Sequence, residues 1–281
     1  MKKPKVSILI VNWNCGDTIL NCIASIEEKL KKYTYEIVIV DNDSKDGSAK
    51  KIEKKHPNVK LIKNNFNNMY AGGNNQAYKS SNGDYILLLN PDTVVRNGSI
   101  DGLLDYIIKN KKDIVTCKLL NLDGSTQYNM HRGYPTAFRL FTSLLYTRYH
   151  ILGFLPSVKN YLLINNVFNQ DFFVDQAAGA CILISRKLIK KLGYLFDEKN
   201  FPLFYNDVDL SYRIRRKRIK ILCKTNISIY HIKGHSIKKI AKLSYIRNHL
   251  KSAEKFFKKH KLYKDYVILK TINFIILNKS K

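Results

Sequence analysis

The stretch that most constrains this chain is Asp84-Tyr85-Ile86-Leu87-Leu88-Leu89-Asn90-Pro91-Asp92-Thr93. A short, unbroken apolar run bounded by turn residues reads as a strand buried on both faces. Pro91 has no N–H to give to a ladder, so the strand stops before it. Asp92 is thereby delivered to the carboxyl edge of a sheet, where open α/β sheets bind their ligands. A hard carboxylate oxygen at that edge suits Mg²⁺ or Mn²⁺ carrying a substrate diphosphate. The competing reading is an ordinary turn that ends a strand.

The segments before it alternate in kind. Val6 to Val11 is an apolar strand, and Asp17 and Thr18 can cap the helix that follows. Ile19, Ile23, Ile26 and Leu30 step at helical spacing and make one buried face. Glu36 to Val40 is a second strand, Lys50 to Lys55 a solvated helix, and Val59 to Ile62 a third strand. Asn64 to Asn75 is rich in Asn and Gly, and a helix is expected only near Gln76 to Lys79. This β-α-β-α-β-α-β order implies a mostly parallel sheet flanked by helices, with right-handed crossovers. Trp13, just after the first strand, is either a base-stacking aromatic or a core residue. Asp41, after the second, either accepts from a pyrimidine N3–H or ribose hydroxyl or closes an Asx turn.

Composition narrows the function classes. At 281 residues and 45% hydrophobic, the chain has ample material for a core. Its net charge of +27 attracts phosphates, nucleic acid or anionic lipid. Cysteines 15, 22, 117, 181 and 223 form no C-x-x-C pair, which speaks for a reducing compartment and against a zinc site. Met1-Lys2-Lys3-Pro4 leads straight into a strand, so no signal peptide is expected, and no window is apolar enough to span a membrane. There is no P-loop and no G-x-G-x-x-G, and we find no internal repeat.

Three blocks taken together, Val6-Ser7-Ile8-Leu9-Ile10-Val11-Asn12-Trp13-Asn14, Val40-Asp41-Asn42-Asp43-Ser44 and Leu89-Asn90-Pro91-Asp92-Thr93, resemble glycosyltransferase family 2, and within it the bacterial rhamnosyltransferase-type members. The resemblance reaches to about residue 236. It implies a GT-A fold of Rossmann-like character, a nucleotide-sugar donor, Mn²⁺ or Mg²⁺, and an inverting transfer. It assigns Val11, Asn12, Trp13, Asp41, Asn42, Asn74, Asn90 and Gly179 to the donor, and Asp92 to the metal. Asn90 stands where many members carry a first Asp, leaving one carboxylate in that motif.

The second half supplies the remaining candidates. Ser99 to Lys109 is a helix, Ile114 to Leu119 a strand, and Asn121 to Ser125 a hairpin-type turn. Phe138 to Leu155 is apolar and aromatic but broken by Arg139, Arg148 and His150. It either lies at a membrane surface, walls an acceptor site, or packs as a helical hairpin on the main domain. Val174 to Ile184 begins small and polar and becomes a buried strand; its Gly179 lets a ligand approach the backbone closely. Asp207 opens a helix running to Arg216, where an Asp is ordinarily a cap. By the resemblance, Asn206-Asp207-Val208-Asp209-Leu210 matches the family's Glu-Asp-x-Asp-Leu, which makes Asp207 the general base. Asn206 replaces the first acid. Asp209 is the second choice, with an i,i+4 pair to Arg213 as its more ordinary role. The resemblance also makes His231, at the end of a strand, a second metal ligand ahead of His235.

From Lys233 to Lys264 there are eleven Lys/Arg and one acid, Glu254, with an apolar stripe of Leu243, Ile246, Leu250, Phe256 and Phe257. A basic amphipathic segment of this kind binds an anionic membrane surface or an acidic partner, or else simply solvates a helix. The expected organisation is a GT-A domain over 1–236, divided into a donor half at 1–120 and an acceptor half at 121–236, and a basic helical tail over 237–281. The expected activity is sugar transfer from a dTDP-rhamnose-like or UDP-sugar donor to a glycan or polyprenyl-diphosphate-linked glycan. The expected place is cytoplasmic, at the inner face of the membrane. No nucleic-acid partner is expected, and the oligomeric state is open, a homodimer included. A nucleotidyltransferase or a basic nucleic-acid binder are the alternatives.

Overall fold

A computed structural model describes residues 5–128, 130–164, 170–232 and 242–278. The first half alternates β1 (Val6–Asn12), α1 (Asp17–Lys29), β2 (Tyr35–Asn42), α2 (Ser48–Lys55), β3 (Lys60–Asn64), α3 (Met69–Lys79) and β4 (Tyr85–Leu89). Then come β5 (Thr93–Val94), α4 (Ser99–Lys109), β6 (Ile114–Leu120), α5 (Ala137–Tyr149), α6 (Pro156–Leu162) and β7 (Phe172–Val174). β8 (Cys181–Ser185), α7 (Arg186–Leu192), α8 (Asn206–Arg216), β9 (Ile221–His231), α9 (Lys242–Lys259) and α10 (Tyr263–Asn278) complete the order.

One sheet runs β3-β2-β1-β4-β8-β6-β9-β5, with β7 also on β9. Its first four strands are parallel, as the β-α alternation dictates. β8 then enters antiparallel between β4 and β6, and β9 runs parallel to β6. The sheet is α/β with helices on both faces, parallel in its first half and mixed in its second.

The apolar run at 85–89 is unbroken because both of its faces are covered. Leu87 and Leu89 enter one core with Ile8 and Ile10 of β1, beneath α1 and α4. Ile86 and Leu88 enter the other with Leu9, beneath α3, α7 and α8. Each fully buried Leu or Ile there contributes about 1.5–3 kcal/mol by leaving water.

Two elements differ from expectation, and one reading left open is decided. α3 begins at Met69, seven residues before the helix read at Gln76. Gly73, within that Asn- and Gly-rich stretch, is a packing device, since a Cβ on it would sit 2.9 and 3.0 Å from the Val11 methyls. The missing side chain lets α3 lie directly on β1. The apolar stretch after Phe138 forms the α5–α6 pair packed against the rest of the molecule, the third of its three readings. Leu250, Phe256 and Phe257 of the basic tail's stripe are fully or nearly fully buried in a third core with Tyr161, Tyr205 and Tyr212. His235 lies outside the described residues.

Candidate active site

Topology gathers the site. β1, β2 and β4 end at one edge of the sheet, placing Asn12, Asn42 and the Asn90–Asp92 turn together. Because β8 is antiparallel, its start lies at that same edge, with Cys181 opposite Leu89. Gly179 therefore arrives beside Asn90, whose N–H donates to Ala180 O at 3.1 Å. β9 shares the direction of β4, so His231 comes to the edge as well and pairs with Thr93 in register.

Asp92 and His231 meet directly, His231 Nε2 lying 3.4 Å from Asp92 Oδ1. The same nitrogen is 3.4 Å from Asn90 Nδ2. Gln127 decides the imidazole's tautomer. Its amide N–H groups are taken, donating to His231 O at 2.5 Å and Asn121 Oδ1 at 2.9 Å. Its oxygen, 3.0 Å from His231 Nδ1, must then accept. In the neutral ring the proton is then on Nδ1, which turns the Nε2 lone pair toward the Asp92 carboxylate. Two acceptors aimed into one space form a donor set for a cation. With diphosphate oxygens and water completing the shell, this pair fits Mn²⁺ or Mg²⁺. Among the described residues no three His, Cys, Asp or Glu side chains gather around one point.

Asp207 stands in the first turn of α8, half-buried, and is approached from several sides. Its Oδ2 accepts from Gly179 N at 3.2 Å and its Oδ1 from Val208 N at 2.8 Å. Burial pushes its carboxyl above the usual value, while those N–H groups and the nearby Arg132 charge pull the other way. Asn206 locks the turn beneath it, donating to Leu203 O at 2.7 Å, which accommodates Tyr205 at φ 68°.

Tyr70, which sequence reasoning passed over, lies within reach of the charge of both acids. Its hydroxyl donates to Gly179 O at 2.9 Å. Burial raises the phenol well above its ordinary pKa, and the negative charges of Asp207 and Asp92 both add to the shift. The residue therefore stays a neutral donor beside both carboxylates. His131 grips the same loop from below, accepting from Ala178 N at 3.1 Å and donating to Cys117 O at 2.9 Å. Burial depresses this imidazole to about 4, so it is neutral in use. No sequence signal marks Gln127 or His131; Tyr70 is marked only by adjoining the Ala71-Gly72-Gly73 run.

The other donor candidates divide. Trp13 is partly exposed at the end of β1, and Asn42 donates to Met69 O at 2.9 Å. Asp41 is 3% exposed, accepting from Asn12 Nδ2 at 2.6 Å and Ser44 N at 3.1 Å. Asn12 is fully buried and braces that carboxylate. Asn74, 1% exposed, donates to Tyr70 O at 2.9 Å and so acts on the α3 turn that carries Tyr70. Val11 is 7% exposed and packs against Gly73. Asp209 is fully buried and bound by Arg213 at 2.8 Å, Lys259 at 2.6 Å and His260 at 2.8 Å. It is the i,i+4 partner of Arg213 that the sequence indicated. Two grooves of about 450 and 680 Å³ contain none of these residues; they lie at the opposite edge, by Tyr35 and Tyr85.

The model of the family described as glycosyl transferase family 2 matches residues 7–193. The chain belongs to glycosyl transferase family 2. Among curated relatives of this family 2 chain, the low-salt glycan biosynthesis hexosyltransferase Agl10 of Haloferax volcanii is 28% identical over 77% of this chain and 63% of its own. The N-acetylglucosaminyl-diphospho-decaprenol L-rhamnosyltransferase of Mycobacterium tuberculosis is 25% identical over 82% of this chain and 76% of its own. The structure of GalNAc-T7 with UDP, GalNAc and Mn²⁺ superposes with a TM-score of 0.59 at 18% identity, covering 82% of this chain and 44% of that one. That likeness bears on the fold, which is of the GT-A type.

Proposed function

We propose that this family 2 chain is an inverting, metal-dependent glycosyltransferase that moves a sugar from a nucleotide-sugar donor to the hydroxyl of a glycan or lipid-linked glycan in surface polysaccharide synthesis. The observation that carries the reading is the convergence on one sheet edge of the Asp92–His231 donor set and the half-buried carboxylate of Asp207, which is held by Gly179 of the loop beside Asn90. Asp92 Oδ1 and His231 Nε2 would hold Mn²⁺ or Mg²⁺. Held there, such an ion would supply positive charge to the departing nucleoside diphosphate. Asp207 takes the acceptor hydroxyl's proton as that oxygen forms its bond to the anomeric carbon. The bond from that carbon to the diphosphate oxygen breaks on the opposite face, and the electron pair leaves with the diphosphate. Trp13 and Asp41 serve the nucleoside, and Gly179 leaves room for the sugar. Asn90 bears on His231 Nε2.

The relatives' names support the class of sugar transferred and a lipid-linked acceptor, and the solved neighbour's Mn²⁺ supports a divalent ion. A dTDP-rhamnose-like or UDP-sugar donor, a polyprenyl-diphosphate-linked acceptor and a place at the inner membrane face complete the reading. Residues 1–236 would be the catalytic unit and 237–281 its basic extension. The test is to incubate the full chain with dTDP-rhamnose, UDP-glucose, UDP-GlcNAc and GDP-mannose, with Mn²⁺ or with EDTA, and to follow nucleoside diphosphate release. Slow release from one donor, abolished by EDTA, is the expected result. No release from any donor, or release indifferent to EDTA, would count against it.

A further inference from the structure

We infer that the α5–α6 pair together with α10 forms the surface by which this chain lies on an anionic lipid membrane, with the apolar stripe of α9 taking no part. The inference rests on the proposed lipid-linked acceptor for its purpose, but its evidence is separate. The basic segment has the composition of a membrane-surface helix, yet Leu250, Ala253, Phe256 and Phe257 are 7% exposed or less. Those four side chains are spent on the third core and are closed to lipid. The exposed apolar side chains lie elsewhere. Tyr149 at 57%, Ile151 at 51% and Phe154 at 72% stand at the turn between α5 and α6. Tyr263 and Val267 at 60% and Ile268 at 39% stand on α10. α10 packs on α5, and Asp265 of α10 accepts from Ala137 N at 2.8 Å at the start of α5. These helices therefore move as one layer.

Charge chooses the occupant. Lys251, Lys255, Lys258, Lys261, Lys264 and Lys270 are exposed on α9, α10 and their connection. The acids of this layer are turned inward: Glu254 accepts from Asn273, and Asp265 caps α5. What faces outward is aromatic and aliphatic area with lysines beside it. Lysine is depleted from the cores of protein interfaces, whereas lysine beside partly inserted aromatics suits acidic headgroups. The layer is also tied to the catalytic helix. Lys259 and His260 bind Asp209, two residues from Asp207, and Arg132, whose charge acts on Asp207, donates to Tyr161 Oη of α6 at 3.4 Å. A lipid surface under this layer would hold a lipid-linked hydroxyl at a fixed height relative to the base.

The full chain is sedimented with phosphatidylcholine vesicles and with phosphatidylcholine–phosphatidylglycerol vesicles. The wild type should bind the second and not the first. Ile151→Ser with Phe154→Ser should weaken binding about tenfold or more. Lys264→Glu with Lys270→Glu should remove the preference for the anionic lipid. Both double variants should keep the wild-type thermal unfolding temperature, since the side chains are exposed. Asp207→Asn should bind like the wild type, which separates this result from any failure of the proposed chemistry. The inference is overturned if the wild type ignores both vesicles or if the Ile151/Phe154 variant binds undiminished. It is likewise overturned if that variant instead abolishes a concentration-dependent dimer seen by light scattering, which would make the surface a contact between copies.

Discussion

Asp207 and Tyr70 are two residues whose ordinary chemistry is altered by where they sit. The Asp207 carboxyl is raised by burial, so it must lose a proton at a pH above the ordinary carboxylate value of about 4 before it can serve as base. The acid limb of kcat/KM is expected above that value. Arg132→Gln should move the limb to still higher pH, because the charge that favours the ionised form is gone. A limb unmoved by that change would remove Arg132 from the account. Asp207→Asn keeps the side chain's shape and one of its two acceptor oxygens, and should leave donor binding intact while transfer is lost by about 10²-fold or more. Turnover near the wild-type rate would mean that another group takes the proton. Tyr70→Phe leaves Gly179 O without its donor and frees the loop that touches Asp207. A fall in kcat of about tenfold is expected, with the donor KM little changed. A change confined to KM would show instead that the phenol serves donor binding.

At the scale of elements, α8 is fixed by a buried ionic cluster. Burial alone would raise the Asp209 carboxyl, but hydrogen bonds from His260 and Lys259 and the charges of Arg213 and Lys259 outweigh it. The group ends below the usual carboxylate value. Lys259 extends the cluster to Asp197 at 2.8 Å. Removing one member of such a set strands buried charge of the other sign. Asp209→Ala is therefore expected to destabilise the fold by about 3–5 kcal/mol, read as a lower denaturant midpoint. A change under about 1 kcal/mol would mean that the C-terminal helices are held by their apolar contacts alone. A depressed carboxyl contributes stability above its unfolded value of about 4 and loses it as pH falls through its folded value. This cluster consequently weakens only in strong acid.

Across the whole molecule, the buried His131 and the half-buried His249 set an earlier acid limit. Burial holds His131 at about 4 and, with the Arg132 charge, His249 at about 3. Both values lie below the unfolded value of about 6.5, so the unfolded chain binds more protons between these limits. Their contribution is fully present above about 6.5 and declines as pH falls toward their folded values. The slope is about 1.4 kcal/mol per pH unit for each site within that window. Denaturant unfolding from pH 8 to pH 4 should show stability falling below about 6.5, and His131→Asn should flatten the curve. A flat wild-type profile would contradict the burial of both rings.

The sequence by itself determined the strands, most helices and the acids worth watching. A run such as Ile86-Leu87-Leu88-Leu89 has one physical solution, burial on both faces, and Pro91 fixes where it ends. Asp209 was legible too, because an i,i+4 pair with Arg213 is a local contact. Locality also explains what stayed hidden. The direction of β8 is set by its pairing with β4, more than ninety residues earlier in sequence, and that direction brings Gly179, which holds Asp207, to the edge where the Asn90–Asp92 turn lies. Gln127 chooses the tautomer of His231 from 104 residues away, and Tyr70 reaches Gly179 across 109. Whether the basic tail's stripe met lipid or protein was decided by a third core that forms only once α5, α6, α8, α9 and α10 are packed together. Periodicity reports that a face is apolar; tertiary packing decides what covers it.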